Sequence, residues 1–159
     1  MLRSLIYRSN SSRSILASKL FDQNTFYKAF NHDLRHCKRE AIIESPFITT
    51  KRIFSLLPVL TKLTKRGVRI VINTRNPEDH DGIYRIQAEQ AIVSLQNIGV
   101  LVLYTGGHHR KIAIIDKSII WEGSLNILSH NDSCEIMRRT ESKYAAQQLI
   151  KFVKIDKYL

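Results

Sequence analysis

Cysteines and long apolar segments are both scarce, and each shortage removes a class of protein. The only cysteines are Cys37 and Cys134, and they form no Cys-x-x-Cys pair, which excludes a framework of several disulfides. Two free thiols in a reducing, cytoplasmic compartment are the favoured interpretation, with a single disulfide as the alternative. No apolar run approaches the roughly 18 residues of a membrane span, so we expect no stable insertion into a membrane.

Acidic residues are also in short supply. The 159 residues include 25 Lys and Arg but only 14 Asp and Glu, which gives a net charge of +11 and a pI of about 9.9. A surface of this charge favours polyanions, either nucleic acid or the anionic face of a membrane. A protein that is merely basic is the alternative. The length suits one domain with one core.

The first 21 residues contain Arg, Lys and many Ser but no acidic residue. We interpret residues 1–22 as a basic N-terminal arm or extra helix, and residues 23–159 as the folded domain. A mitochondrial transit peptide has a similar composition and stays open as an alternative, whereas the lack of a continuous apolar core disfavours a secretory signal.

Alternating helical and strand patterns predict an α/β fold. The early strands alternate with helices and the later strands follow one another, which indicates a mixed sheet. We expect parallel early strands, antiparallel later strands and helices on both faces. Pro58 should kink the second helix or split its first turn. Helices are predicted at 25–37, 49–67, 81–99 and 141–159, and strands at 41–45, 68–74, 100–104, 111–116, 119–124 and 134–140.

The segment GGHHRKIAIIDKSIIWEGSLNIL, residues 106–128, gathers polar side chains around two strands. Successive strand residues face opposite sides, so His109 and Lys111 share one face and His108 faces the other. If the hairpin folds about residues 117–118, Lys111 lies opposite Ser124 and His109 lies opposite Asn126. A three-residue loop would break this register.

Such a group of side chains suits a phosphoryl group. Lys111 supplies a positive charge, and Ser124 and Asn126 supply neutral donors for the phosphate oxygens. A histidine imidazole has an ordinary pKa of about 6.5, so a neutral His109 is available to attack phosphorus and form a phosphohistidine.

The same residues resemble the HKD motif of the phospholipase D superfamily, which is His-x-Lys, four residues, Asp, six residues, Gly-Ser-x-Asn. Every spacing is intact, and the six positions are occupied by His109, Lys111, Asp116, Gly123, Ser124 and Asn126. The resemblance extends from residue 24 to the C-terminus, and it implies a phospholipase D-like catalytic domain. It identifies His109, rather than His108, as the histidine of the motif.

The resemblance also implies roles. His109 would be the nucleophile, Lys111 and Asn126 would bind phosphate, and Asp116, Ser124 and Glu135 would support them. Glu135 matches a glutamate that orients the histidine in single-motif nucleases, although the loop before it is shorter here. No metal or other cofactor is implied. Because one motif supplies one histidine, the resemblance implies a homodimer in which two copies of His109 meet.

For other polar residues, the sequence gives less reason to expect a functional role. Arg75 follows the second strand and is a candidate for substrate binding, because ligands bind beyond the carboxyl ends of parallel strands. The His36–Lys38 pair lacks the rest of the motif and is interpreted as a helix end. The acidic segment 78–81 is interpreted as a solvated loop and not as a metal site. His108 is expected to be hydrogen-bonded or to face solvent.

Three functions remain in view. The favoured one is a metal-independent, endonuclease-like enzyme that cleaves DNA or RNA, for which a helicase is a candidate partner. The second is a phospholipid phosphodiesterase or phosphatidyl transferase. The third is a nucleic-acid-binding module without turnover.

Overall fold

The computed structural model describes residues 18–129 and 133–159, which contain one sheet of seven strands. The strands are numbered along the chain, and their order across the sheet is β1-β7-β6-β5-β2-β3-β4. Their bounds are Ser18–Asp22 (β1), Glu40–Glu44 (β2), Arg69–Thr74 (β3), Leu101–Tyr104 (β4), Ile112–Ile115 (β5), Ile119–Gly123 (β6) and Ile136–Glu141 (β7).

The strand pairing confirms the expected mixed sheet. β2, β3 and β4 run parallel to one another, and β5, β6, β7 and β1 continue the sheet in antiparallel pairs. Parallel neighbours need long crossovers, and helices fill the two crossovers between β2, β3 and β4. The helices are Phe26–His36 (α1), Thr50–Lys65 (α2), Gly82–Asn97 (α3) and Lys143–Phe152 (α4).

Helices cover both faces of the sheet, as the sequence predicts. Alternation along β2 divides its side chains, so that Ala41 and Ile43 join the core beneath α1, α2 and α3, and Ile42 joins the core beneath α4. Trp121 on β6 is fully buried on the first face, and its indole N–H donates to Asp33 at 2.9 Å. Arg139 forms an ion pair with the same carboxylate at 2.7 Å, which fixes Arg139 as a structural residue.

The sheet begins earlier than expected. Ser18–Asp22 form an edge strand that pairs with β7, so they do not belong to a separate arm and the domain does not start at residue 23. The rest of the expected arm, residues 1–17, lies outside the described residues. Alternation in SKLFD is weak, because only Phe21 of its apolar residues packs against the core.

Two helices also differ from expectation. The expected last helix, residues 141–159, is shorter: Glu141 ends β7, Ser142 caps α4 by accepting from the Ala145 N–H, and a separate 3₁₀ turn covers Asp156–Tyr158. In contrast to a split at Pro58, α2 continues through this residue as one helix. Within the described residues, no helix is both long and apolar enough to cross a bilayer.

Two edges of the sheet matter for function. We call the edge where β2 and β3 end and β5 begins the upper edge, and the edge where β2 and β3 begin and β5 turns into β6 the lower edge. A five-residue strand such as β2 separates them by about 16 Å. All the site residues predicted from the sequence lie toward the upper edge, except Asp116.

Candidate active site

The β5–β6 hairpin has a different register from the predicted one. Ile115 pairs with Ile119 across a three-residue loop, so Lys111 lies opposite Gly123, whose N–H donates to the Lys111 carbonyl at 3.3 Å. The predicted pairing of Lys111 with Ser124 is therefore wrong by one residue. The physical reason is the turn, in which Asp116 and Lys117 both have positive φ and Ser118 N–H donates to the Ile115 carbonyl.

Ser124 is held by β7 instead. Its N–H donates to the Ile136 carbonyl at 2.9 Å, and its hydroxyl accepts from the Ile136 N–H and donates to Glu135. Gly123 permits this close approach, because a Cβ at residue 123 would overlap the Ile136 carbonyl oxygen. Ser124 thus positions Glu135 at the start of β7.

His109 and Lys111 form a pair at the upper edge. The side chain of His109 is exposed, and Lys111 Nζ lies 3.2 Å from its Nδ1 and donates to its carbonyl at 2.9 Å. Partial burial lowers the pKa of Lys111, and Arg75 acts in the same direction while Glu135 opposes it. The ammonium therefore has an anionic neighbour but keeps access to a ligand.

Glu135 links Ser124 to the His109–Lys111 pair, because it accepts a hydrogen bond from Ser124 and attracts the Lys111 ammonium. Hydrogen bonds from Ser124 and from Ser133, at 2.5 Å, lower its pKa, and Lys111 contributes to the shift. The carboxylate is therefore ionised at neutral pH. Within the described residues no hydrogen bond joins Glu135 to His109, so the orienting role implied by the resemblance stays a prediction.

Asn126 lies beside Glu135 in the wall of a cavity of about 330 Å³. Its side-chain oxygen is buried and has no hydrogen-bond partner within the described residues. A buried amide without a partner is uncommon and marks a place where a ligand group could bind. The other cavity residues are Gln23, Asn24, Tyr27, Arg52, Leu125, Ser129, Ser133 and Cys134.

The cavity contains two residues that the sequence patterns did not indicate. Tyr27 on α1 bonds the carbonyls of Ile127 and Ser129, at 3.1 and 3.2 Å, and thereby fixes the chain after Asn126. The guanidinium of Arg52 lies 3.4 Å from the centre of the Tyr27 ring. Both residues come from helices distant in sequence, so no local pattern could have identified them.

Arg75 reaches the site through the backbone. Its Nε donates to the His108 carbonyl at 2.7 Å, and its guanidinium lies 5.3 Å from the Phe47 ring. Arg75 therefore holds the peptide that precedes His109, and it contributes positive charge near Lys111.

Asp116 lies at the lower edge, at the other end of β5 from His109. Its carboxylate accepts hydrogen bonds from the backbone N–H groups of Lys38, Arg39 and Glu40, at 2.8, 2.7 and 3.1 Å. Burial alone would raise the pKa of Asp116, but these hydrogen bonds together lower it. Of the motif residues, Asp116 is the one that the fold keeps away from the others, and it anchors the turn, as its place at the strand end predicts.

Behind the site lies a buried polar layer that the sequence did not predict. Glu44 is fully buried, accepts from Asn73 at 2.8 Å and forms an ion pair with Arg110 at 2.5 Å. His108 is only 2% exposed, so the expectation that it faces solvent was wrong. Its ring nitrogens make no full hydrogen bond within the described residues, although the Asn73 backbone interacts with the ring and favours its charged form. Burial lowers its pKa, which keeps it neutral. The available signal was Glu44, a charged residue inside an apolar strand.

The remaining candidates take structural positions. His36 Nδ1 bonds the His32 carbonyl at 2.8 Å at the end of α1, near the lower edge. In contrast to the expected solvated loop, Pro77–Asp79 form a 3₁₀ turn in which the Glu78 N–H donates to the Asn76 side chain, and His80 is buried against Phe47. Asp81 precedes α3 without a side-chain capping bond. Among the described residues, no group of three His, Cys, Asp or Glu is arranged to hold a metal ion. Cys37 and Cys134 are free thiols.

Comparisons with known proteins agree with this architecture. The family model described as "Cardiolipin synthase, PLD-like domain" matches residues 30–156, whereas no curated protein matches the sequence. Nuc, a phospholipase D family member from Salmonella typhimurium, is 15% identical and superposes with a TM-score of 0.71 over 85% of this chain and 90% of its own. NucT from Helicobacter pylori is 15% identical, with a TM-score of 0.63 over 86% and 92%.

A third similar structure is TrmBL2, an archaeal chromatin protein described as having a novel mode of DNA binding. It is 12% identical, with a TM-score of 0.61 over 89% of this chain and 52% of its own. At these identities the structural matches establish the fold.

Proposed function

The chain belongs to the phospholipase D superfamily, within the family of cardiolipin synthase PLD-like domains, and from this premise we propose that it is a metal-independent nuclease. Phosphodiesterase-type chemistry is the activity that its superfamily supports. The proposal adds the substrate, which is nucleic acid, and the chemistry, which proceeds through a phosphohistidine.

The observation that carries the proposal is the exposed His109 ring with the Lys111 ammonium 3.2 Å away. A cation beside a nucleophile attracts the anionic diester and stabilises the charge that develops on its oxygens. Glu135 partly balances the charge of Lys111, and the side chain of Asn126 lies close by in the cavity wall.

The reaction takes two steps. A neutral ring nitrogen of His109 attacks phosphorus, the bond to the leaving oxygen breaks, and a general acid gives that oxygen a proton. Water then attacks the phosphorus–nitrogen adduct and loses its proton to the same group, which now acts as a base. Free His109 and a phosphomonoester result.

The general acid must come from elsewhere. His108 is adjacent in sequence but buried on the other side of the chain, so it cannot lie in line with the leaving oxygen. A second copy of the chain would supply its own His109 across a two-fold axis. We therefore infer a homodimer with one composite site.

Nucleic acid is favoured by charge. The excess of basic over acidic residues, +11 in total, suits a polyanion, and the two similar proteins Nuc and NucT belong to the same architecture. A helicase partner, which the sequence resemblance suggests, is compatible with such a small nuclease domain and stays a proposal.

The test is cleavage of end-labelled single- and double-stranded DNA and RNA in the presence of EDTA. The parent chain should cut at least one of them, and His109→Ala should lose activity by at least about a thousandfold while keeping its circular dichroism spectrum. In a parallel experiment, substrate with a labelled phosphate should give an acid-labile phosphorus–nitrogen adduct with the parent and none with His109→Ala. Equal cleavage by parent and variant would overturn the mechanism.

The family description gives one reason to keep a lipid substrate as the second candidate, since it names a cardiolipin synthase. Release of headgroup from phospholipid vesicles, without any nuclease activity, would favour that candidate. Salt-dependent binding of DNA without products would instead favour a binding module, the class to which the DNA-binding description of TrmBL2 points.

A further inference from the structure

The lower edge carries an exposed basic surface that the proposed chemistry does not use. It consists of eight exposed Lys and Arg side chains drawn from α1, α2, β3 and the three loops at this edge. We call it the lower basic surface, and its members are Arg35, Lys38, Arg39, Lys62, Lys65, Arg66, Arg69 and Lys117.

Contacts show that these residues are neighbours. Arg66 donates to the carbonyls of Arg35 and Cys37, at 3.3 and 2.9 Å, and so joins the ends of α1 and α2. Arg39 donates to the Asp116 carbonyl at 3.2 Å, which joins the start of β2 to the β5–β6 turn. Shallow clefts of about 390 and 430 Å³ lie between the side chains.

The surface has few counter-charges. Within the described residues, Glu40 faces it and is already paired with Arg69 at 2.8 Å and Lys117 at 3.5 Å, and Arg69 also donates to an oxygen of Leu159. The Asp116 carboxylate is occupied by three backbone N–H groups. Within the described residues, Lys38, Lys62 and Lys65 have no carboxylate partner.

Helix ends explain only part of this charge. Cations are favoured at helix C-termini, which accounts for Arg35 on α1 and for Lys62 and Lys65 on α2. The same applies to Arg66, the C-cap of α2, whereas the remaining members lie in loops and on β3, outside the helices. Their convergence brings mutually repelling charges together, which a polyanionic ligand would relieve.

We propose that the lower basic surface is a second docking site for nucleic acid, which binds phosphates of a long substrate away from the point of cleavage. The proposal rests on the proposed function for the identity of its ligand. Among the described residues of α1, α2, β3 and the loops that join them, Phe54 is the one large hydrophobic side chain that is exposed. It lies near the start of α2, at the other end of the helix from Lys62 and Lys65, so the lower basic surface itself lacks the apolar anchors that favour a membrane. A row of phosphates needs only the positive charges.

The geometry makes binding depend on length. The two edges are about 16 Å apart, and a duplex rises 3.4 Å for each base pair, so a ligand needs more than about five base pairs to touch both. A dinucleotide occupies only one of them.

The test compares two triple variants made in a His109→Ala background, in which no ligand is cut. Lys38→Gln/Lys62→Gln/Lys65→Gln removes charge from the lower basic surface. Lys19→Gln/Lys28→Gln/Lys151→Gln removes the same charge from exposed lysines on β1, α1 and α4 and serves as the control. Binding of a labelled 30-base-pair duplex is measured by anisotropy at several salt concentrations.

The lower-surface triple should bind about tenfold more weakly than the control, with a salt dependence reduced by about two to three ions, while both bind a dinucleotide alike. Equal binding of the duplex by the two triples overturns the proposal. Binding to vesicles of phosphatidylcholine and phosphatidylserine is measured in parallel. A loss of binding by the lower-surface triple that is seen with the vesicles and not with the duplex also overturns the proposal. Because nothing is cut in this background, a failure of the nuclease assay leaves the comparison intact.

Discussion

Two adjacent histidines acquire opposite environments because successive residues of an extended chain face opposite sides. His109 is exposed beside Lys111, whereas His108 is buried near Glu44 and Arg110. The sequence distinguishes them because only His109 has a lysine, Lys111, two positions further on. That His108 is buried was not predictable, because it depends on which groups β2 and β3 place behind it.

The lowered pKa of Glu135 leads to a prediction about a single residue. Its pKa lies below the ordinary value because Ser124 and Ser133 donate to its two oxygens. Removing one donor in Ser133→Ala should let the pKa rise toward the ordinary value, so the carboxylate is protonated at a higher pH. If the carboxylate is needed for activity, the acid limb of the pH–rate profile shifts to higher pH.

A matched control is Ser55→Ala, which removes a hydroxyl bonded to the Arg52 carbonyl on the surface of α2. Its acid limb should coincide with that of the parent. An unmoved limb in Ser133→Ala would show that Glu135 does not govern the reaction in acid.

At the scale of elements, the hairpin illustrates what a sequence can and cannot determine. Periodicity predicts the strands on either side of the turn and the parity that separates His109 from His108. The order of helices and strands along the chain predicts the mixed sheet. The register does not, because it depends on a three-residue loop fixed by Asp116 and by backbone donors from residues 38–40. Those donors are far away in sequence, so a symmetrical two-residue turn was the simpler expectation.

Asp116 should therefore contribute to stability and not to chemistry. Asp116→Ala removes the acceptor of three N–H groups and replaces a residue that tolerates φ 51° with one that tolerates it less well, so it should lower the free energy of unfolding by about 2–3 kcal/mol. Asp116→Asn keeps one oxygen and tolerates this φ, so it should cost about 1 kcal/mol. Urea denaturation measures both values, and activity per folded molecule should equal that of the parent.

The effect of pH has a defined sign. Because the folded state lowers the pKa of Asp116 below its ordinary 3.8, the stabilisation by the carboxylate is complete above pH 3.8 and is lost as the pH falls below it. The difference in stability between parent and Asp116→Asn should hence be constant near neutrality and shrink in acid. A difference that grows below pH 3.8 would contradict this account of the turn.

At the scale of the whole molecule, the sequence predicted the fold class and the group of residues at the upper edge, but not the first strand or the cavity wall. β1 was missed because Lys19 and Leu20 are both exposed, as expected for an edge strand, so SKLFD carries little alternation. Tyr27 and Arg52 were missed because α1 and α2 bring them to Asn126 only in the folded chain. Local patterns identify elements and motifs, whereas contacts between distant elements complete a site.

The composite site gives the last prediction, which concerns two copies of the molecule. If each active unit needs one His109 as nucleophile and a second as acid, a dimer with one His109→Ala chain is inactive. Refolding the parent with an equal amount of His109→Ala, at constant total chain, should leave about a quarter of the activity, because activity follows the square of the parent fraction. Mixing the parent with Lys151→Gln, a surface variant on α4, should leave the activity unchanged. Independent sites in each chain would leave about half with His109→Ala, and that result would exclude a shared site.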